Sequence, residues 1–390
     1  MKVAIVCDWL TNVGGAEKVL LRVHKLYPEA PIYTSQYKPK GIDWFTDADV
    51  RTGWMQVFPA GLRRFLGPLR QIYFSHLKLS EYDLVISVTG AEAKAVKVPN
   101  GVHISYCHVP TQYYWQMYDE YVKEPGFGIL NPLVRGAFKL FVRPLRRADY
   151  KAAQKVDYFV TISEYAKELI KKYYKREAEI IHPPVEINDF KINCGKSQIA
   201  KENKKGNCQG GDSAQVVEKS KESVRENIYI TTSRQVTWKK IDLAVLAAKK
   251  LGRKLLVVGE GPEHKKLVEM ANGSEVKFLP LMKKEKLAEE LKKADGYLFP
   301  SMEPFGIAPV EALAAGCPVI AYGEGGARDY VIDGKNGILF KEQTTESLAE
   351  AILEFEKMKF AKEVVAKSAE KFSEERFDKE LKEFVKKCEK

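Results

Sequence analysis

Apolar, β-branched runs recur along the chain, and most are followed by a stretch with apolar residues at helical spacing. Lys2–Cys7 is the first such run; Gly14-Gly15-Ala16-Glu17 then opens a pattern that continues through Val19, Leu20 and Val23. Pro31–Thr34, Tyr82–Val88, Val102–Cys107 and Val156–Ile162 read as further strands, and Ser163 is placed to cap a following helix. Strands separated by helices predict a parallel sheet covered on both faces.

Residues 191–227 break this rhythm. They are rich in Lys, Asn, Gly, Ser and Gln and poor in large apolar residues, so a flexible insertion or linker is expected there. A second alternating unit begins at Ile228. Its expected strands are Ile228–Thr232, Lys254–Val258, Val276–Leu279, Gly296–Phe299, Pro318–Ala321 and Gly337–Phe340. The tail from Glu346 is Lys/Glu-rich and reads as helical, with a break near Phe372–Ser373. The expected division is an N-terminal domain over 1–190, the insertion over 191–227, a C-terminal domain over 228–373, and a final helix over 374–390. Two α/β domains then face each other across a cleft, and ligands in such sheets bind beyond the carboxyl ends of the strands.

Size and charge narrow the class. A chain of 390 residues with 45% hydrophobic residues is long enough for two cores. It has no uninterrupted apolar run of about 18 residues, so no spanning helix is expected. The opening MKVAIVCDWL reads as a strand and lacks a signal-peptide pattern. The six cysteines are scattered without C-x-x-C spacing, which favours neither a disulfide framework nor a zinc site. A cytoplasmic location is the default expectation. The net charge of +11 suits an anionic partner, but no nucleic-acid-binding signature accompanies it.

The chemistry concentrates in residues 299–316, FPSMEPFGIAPVEALAAG. Glu303 and Glu311 lie eight positions apart around Phe305-Gly306-Ile307 and an expected helix start with Pro309 at its first position. The free N–H groups of a strand–loop–helix turn favour an anion, and Gly306 allows close approach of a ligand. Carboxylates repel phosphate, so these two suit hydroxyls. A phosphate between two sets of hydroxyls describes a nucleotide-sugar. Arg234 and Lys239 follow another strand end, where they can converge on a diphosphate. Gly14 and Gly15, at a helix N-terminus, leave amides free for an anion, and a dinucleotide site is excluded because G-x-G-x-x-G is absent. His108 follows a further strand and precedes the aromatic cluster Tyr113, Tyr114 and Trp115, whose faces suit sugars.

The 299–316 string resembles the E-x7-E signature of retaining glycosyltransferases of the group 1, family-4 type. The resemblance implies the GT-B fold of two Rossmann-like domains, with the last helix crossing back to the first domain. It implies that Glu303 contacts the donor sugar, that the amides of Phe305, Gly306 and Ile307 hold sugar and phosphate, and that Glu311 binds the ribose. Residues 233–242 resemble the family's G-R-x-x-x-x-K-x-x-D block, whose Arg and Lys contact the pyrophosphate. Residues 278–282, including Leu281, match the segment that recognises the base, with Pro280 where the family has Gly. Gly259-Glu260-Gly261 and Gly323–Asp329 match two family loops, the second either passing close to the sugar or forming a simple tight turn. In the family the Gly14–Gly15 loop lies against the donor phosphate from the opposite wall.

Residues 106–115 resemble the C-H-x-P-x-R-Y-x-W block of a branch that contains O-antigen mannosyltransferases, with Gln112 in place of Arg. This branch implies GDP-mannose as donor and a lipid-linked glycan of a surface polysaccharide, such as lipopolysaccharide, as acceptor. The expected catalytic set is Glu303, His108, Lys239 and Arg234, acting without a metal. The nucleotide-sugar is a substrate, so no cofactor is implied.

One segment stands outside the donor site. Leu130, Leu133, Val134, Ala137, Phe138, Phe141, Val142 and Leu145 recur at helical spacing, and Arg135, Lys139, Arg143 and Arg146 form a separate basic stripe. One reading is a core-facing helix with a solvated basic face. The other is a helix docking on an anionic membrane or a lipid pyrophosphate, joined by residues 58–78 with Arg63, Arg64, Phe65, Leu66, Arg70, Tyr73 and Phe74. Two rival functions are a sugar-nucleotide epimerase of similar shape and an inactive membrane-associated scaffold.

Overall fold

The computed structural model describes residues 1–62, 66–123, 131–191 and 227–388. Residues 192–226 of the expected insertion, together with Arg63, Arg64, Phe65 and Leu130, lie outside the described residues.

The first half builds a seven-stranded sheet from β1 (Val3–Cys7), β2 (Ile32–Thr34), β3 (Val50–Arg51), β4 (Leu84–Thr89), β5 (Val102–Cys107), β6 (Tyr158–Thr161) and β7 (Glu179–Ile180). Their order is β3-β2-β1-β4-β5-β6-β7. The second half builds a six-stranded sheet from β8 (Ile228–Thr232), β9 (Lys254–Val258), β10 (Val276–Leu279), β11 (Gly296–Phe299), β12 (Val319–Tyr322) and β13 (Gly337–Phe340), in the order β10-β9-β8-β11-β12-β13. Every strand pair in both sheets is parallel. The fold is thus two Rossmann-like α/β units. The physical cause is visible at the sheet centres. Every residue of β4 and of β11 is buried, as continuous apolar runs covered on both faces require.

In each sheet the order reverses beside the first strand, β1 or β8, where neighbouring connections leave to opposite sides. The loops at those carboxyl ends carry Asp8 and Gly14 in one half and Arg234 and Glu303 in the other.

Contacts between the halves are polar as well as apolar. The final helix, Glu374–Cys388, packs on helix Gly15–Leu26, where Arg22 Nε and Nη2 reach the two carboxylate oxygens of Asp378 at 2.6 and 2.5 Å. Val185 N–H donates to Phe372 O at 2.9 Å. Ser163 Oγ, the N-cap of helix Glu164–Tyr174, donates to Pro304 O at 2.5 Å.

The amphipathic segment folds as helix Asn131–Ala153, and its apolar stripe divides, with Val134, Phe138 and Leu145 half-buried. Leu133 is 72% exposed and Phe141 54% exposed, while of the stripe's residues Val142 is buried. Further buried contacts of this helix are made near its C-terminal end, through Asp149, Ala152 and Ala153. Pro144, in the helix interior, lies between these two regimes.

Candidate active site

The loop after β11 is shaped from three directions. Ser301 Oγ donates to Glu303 Oε1 at 2.9 Å. From behind, Gly326 N–H donates to Glu303 O at 2.8 Å, and Tyr330 OH donates to Phe305 O at 3.0 Å. Gly325 and Gly326 permit this: a Cβ on Gly326 would sit 2.4 Å from Phe305 Cα, and one on Gly325 2.5 Å from Glu303 O. The close approach made by the 323–329 loop is therefore to residues 303–305. At Gly306 the chain takes φ +91° and enters helix Ile307–Ala314. Pro309 consequently occupies the third helical position rather than the first, because Gly306 turns the backbone two residues earlier. That position still has no intrahelical acceptor for an N–H, so proline fits.

Lys239 meets this loop from the neighbouring strand end. It closes the turn Thr237–Lys239, and its Nζ lies 2.5 Å from Glu303 Oε1. Arg234 is exposed on the loop between β8 and that turn, and has no ion-pair partner among the described residues. The loop is held by its neighbour. Gln235 is buried, its Nε2 donates to Gly259 O at 2.5 Å, and Gly261 packs so closely that a Cβ would lie 2.2 Å from Gln235 O. The glycines of the 259–261 turn thus seat the Arg234 loop. Leu281, beyond β10, is 83% exposed.

The opposite wall belongs to the first sheet. Gly14 caps helix Gly15–Leu26, and a Cβ on Gly15 would lie 3.2 Å from Ile307 Cδ1, so the two glycine turns abut across the cleft. Lys18, on the same helix, places Nζ 3.2 Å from Glu311 Oε1 and 3.5 Å from Glu186 Oε2. The structure therefore brings Gly14, Gly15, Ile307, Glu311, Glu303 and Lys239 to one junction.

Beside this junction lies a cavity of about 290 Å³ lined by Trp9, Glu17, His108, Gln112, Tyr113 and Tyr121, among others. His108 Nε2 is out of contact with solvent and has no hydrogen-bond partner among the described residues. Burial lowers the His108 pKa to about 4, so the ring is neutral near pH 7. A neutral imidazole can both donate to and accept from a hydroxyl.

Trp115 is not among the residues that line this cavity. Its Nε1 donates to buried Asp149 at 2.7 Å and its ring stacks on Tyr173 at 5.0 Å. Tyr113 does line it, but its hydroxyl donates to Glu92 at 2.5 Å. Arg135, Lys139 and Arg143 belong to helix Asn131–Ala153, where Arg135 Nε donates to Val122 O at 2.9 Å.

Two contributors were not singled out from sequence. Asp8 accepts from Thr89 Oγ1 and from the amides of Gly90, Ala91 and Ala93, at 2.8–3.0 Å. It thereby fixes the loop under His108, although burial raises its pKa above the usual carboxylate range. Lys18 directly follows the Gly14-Gly15-Ala16-Glu17 run. Its only signal was a cation one turn into a helix that begins at the site.

Two parallel Rossmann-like units meeting at glycine-rich strand ends define the GT-B class. The structure of HepE of Anabaena in complex with UDP superposes with a TM-score of 0.68 over 99% of this chain and 100% of that one, at 18% identity. Residues 212–376 match the family Glycosyl transferases group 1, so the second half carries a domain of that kind. The chain is 37% identical over 123 residues to a D-inositol 3-phosphate glycosyltransferase of Mycobacteroides abscessus, a stretch that spans 28% of each protein. It is 23% identical over 384 residues to the alpha-1,3/1,6-mannosyltransferase alg2 of Schizosaccharomyces pombe, covering 84% of this chain and 68% of that protein.

Proposed function

We propose that the chain is a retaining glycosyltransferase that moves a hexose from a nucleotide-diphosphate sugar to a hydroxyl of a lipid-linked glycan. The observation that carries this reading is the junction of Lys239, Glu303, the 305–307 turn and Glu311, with Gly14 and Gly15 opposite. Residues 228–373 act as the donor domain and residues 1–190 as the acceptor domain. GDP-mannose is the donor we favour, supported by the mannosyltransferase named among the relatives. A UDP-hexose is the second reading, favoured because HepE was crystallised with UDP.

In this mechanism the leaving diphosphate gains charge as the glycosidic bond breaks. Arg234, Lys239 and the amides of 305–307 stabilise that charge electrostatically, with neither metal nor cofactor. Glu303 orients the sugar and is not a covalent nucleophile. His108, neutral in its cavity, holds a sugar hydroxyl near the reacting face. The acceptor hydroxyl attacks from the side of the leaving group, whose phosphate takes the proton. The outward Leu133 and Phe141, beside exposed Lys139 and Arg143, suit an anionic membrane where a lipid-linked acceptor resides. No helix among the described residues is long and apolar enough to cross a membrane. We place the enzyme in the cytoplasm, peripheral on the inner membrane face.

The test is turnover of GDP-mannose and of UDP-hexoses with and without a lipid-linked acceptor, with the product anomer read by NMR. Donor consumption that requires the acceptor and keeps the anomeric configuration is expected. Conversion of the donor sugar without acceptor would establish the epimerase instead. Liposome binding with no nucleotide affinity would establish the scaffold.

A further inference from the structure

We propose that Lys18 is a positioning residue of the donor site, which holds Glu311 ready for the ribose hydroxyls and supplies that order from the opposite half of the molecule. This rests on the reading above, in which Glu311 takes the ribose.

The geometry is an ion chain that joins the two halves at both ends, with Lys18 and Glu186 of the first half facing Glu311 and Lys284 of the second. Glu311, on helix Ile307–Ala314, pairs with Lys18 of helix Gly15–Leu26 at 3.2 Å. Lys18 is 3.5 Å from Glu186, Glu186 is 2.5 Å from Lys284 of helix Lys284–Lys293, and Lys284 is 3.2 Å from Asp189. Lys284 is the nearer cation to Glu186, which leaves most of the Lys18 charge to Glu311. The Glu311 side chain is 12% exposed and that of Lys18 25%, so the pair is only partly screened by water.

A carboxylate has two oxygens, and Lys18 engages Oε1 of Glu311. Oε2 has no hydrogen-bond partner among the described residues and is left for hydroxyls. A glutamate with no such partner spends binding energy on ordering its side chain when the ligand arrives. Lys18 meets that cost beforehand, and only while the halves are as close as they are here. Gly15 allows that closeness, since an added methyl would lie 3.2 Å from Ile307 Cδ1. Ribose recognition and cleft closure are therefore one event. An ordinary inter-domain ion pair would raise stability without favouring ribose over a sugar lacking its hydroxyls.

Calorimetric titration tests this with GDP, UDP and their 2′,3′-dideoxy forms against wild type, Lys18→Met, Lys18→Arg and Glu311→Gln. Wild type is expected to prefer the ribonucleotide, and Glu311→Gln to lose about tenfold of that preference, the worth of a hydrogen bond to a charged group. Lys18→Met is expected to weaken the ribonucleotide about fivefold while leaving the dideoxy form unchanged, and Lys18→Arg to restore most of the loss. Equal weakening of both forms, or of neither, by Lys18→Met overturns the proposal. A ribose preference that survives Glu311→Gln, or wild type that binds neither nucleotide, overturns the donor-site reading and the proposal with it.

Discussion

The Lys239 ammonium lies 2.5 Å from Glu303 Oε1, and each side chain is about one-fifth exposed. These two charges satisfy each other. In the proposed reading a donor diphosphate competes for Lys239 and a sugar hydroxyl for Glu303, so donor binding would replace one ion pair by two ligand contacts. Lys239→Ala removes the cation proposed to meet the leaving group. Turnover is expected to fall by at least about a hundredfold, the scale of losing one preorganised electrostatic contact. Glu303 keeps its Ser301 hydrogen bond, so circular dichroism and melting are expected to change little. Near-normal turnover would remove Lys239 from the mechanism.

Gly326 supports the same loop from behind. Its φ of −73° is open to any residue, so the constraint is contact rather than dihedral strain. A methyl there would face Phe305 Cα at 2.4 Å and Pro304 O at 2.5 Å, both backbone atoms that have no rotamer to escape into. Gly326→Ala is expected to cost about 1–3 kcal/mol, as overpacking does. It also moves the Glu303–Phe305 backbone, so activity is expected to fall together with thermal stability. Unchanged melting would show that the loop yields freely.

Much of the second half was legible in its residues because strand and loop signals coincide there. Ile228–Thr232, Lys254–Val258, Val276–Leu279, Gly296–Phe299 and Gly337–Phe340 form strands with the same bounds that their apolar runs predict. The first half was harder. β3 is only Val50–Arg51, too short to leave a periodic signal. Helix Asn131–Ala153 shows regular apolar spacing, yet spacing reports that a face exists and not what covers it. Contacts distant in sequence were invisible. Lys18–Glu311 joins positions 293 residues apart, and nothing local in either segment announces the pairing. Trp115 illustrates the converse: an aromatic in a sugar-binding context is held by Asp149, 34 residues away.

That aspartate belongs to a buried network. Lys94 Nζ lies 2.6 Å from Asp149 Oδ1, and neither side chain is more than 1% exposed. Thr111, Trp115 and Tyr174 also donate to Asp149, at 2.7–2.9 Å. Asp149→Ala strands a buried ammonium and three donors. A loss of about 3–5 kcal/mol is expected, measured by chemical denaturation, because breaking one side of a buried pair leaves the other charge uncompensated. Lys94→Met with Asp149→Leu, which removes both charges, is expected to lose less than Asp149→Ala alone. The opposite order would show that the pair itself is a net source of stability.

The outward face of helix Asn131–Ala153 makes a separate prediction. Leu133, Leu140 and Phe141 recur at helical spacing and are all exposed, flanked by exposed Lys139, Arg143 and Arg147. Wild type is expected to sediment with vesicles containing phosphatidylglycerol and not with phosphatidylcholine alone. Leu133→Ser with Phe141→Ser is expected to abolish sedimentation by removing the apolar contact. Lys139→Glu with Arg143→Glu is expected to abolish it through charge, and salt to weaken it in wild type. Binding that survives both double variants would assign the surface to another role.

Asp329 gives the chain a pH dependence. It sits at the start of helix Glu164–Tyr174, where its Oδ2 accepts from Glu164 N–H at 3.0 Å and lies 3.6 Å from His182 Nδ1. Glu164, Arg328 and Lys371 are the other charges that face it. Burial raises its pKa from 3.8 to about 6. Between those values the folded chain holds a proton that the unfolded chain has released. The stability contributed by this group therefore falls as pH rises from about 4 to about 6, and above that range the fold carries an ionised, buried carboxylate. Asp329→Asn keeps the oxygen that accepts from Glu164 and cannot ionise. The variant is expected to melt higher than wild type at pH 7.5, with the gap closing as pH falls below about 4. His182, whose pKa burial lowers, destabilises both proteins as pH falls through its unfolded value, and since it lies beside Asp329 the comparison is repeated with His182→Gln in both backgrounds. A gap that is constant across the range, or that grows toward acid, would show that Asp329 does not titrate in this window.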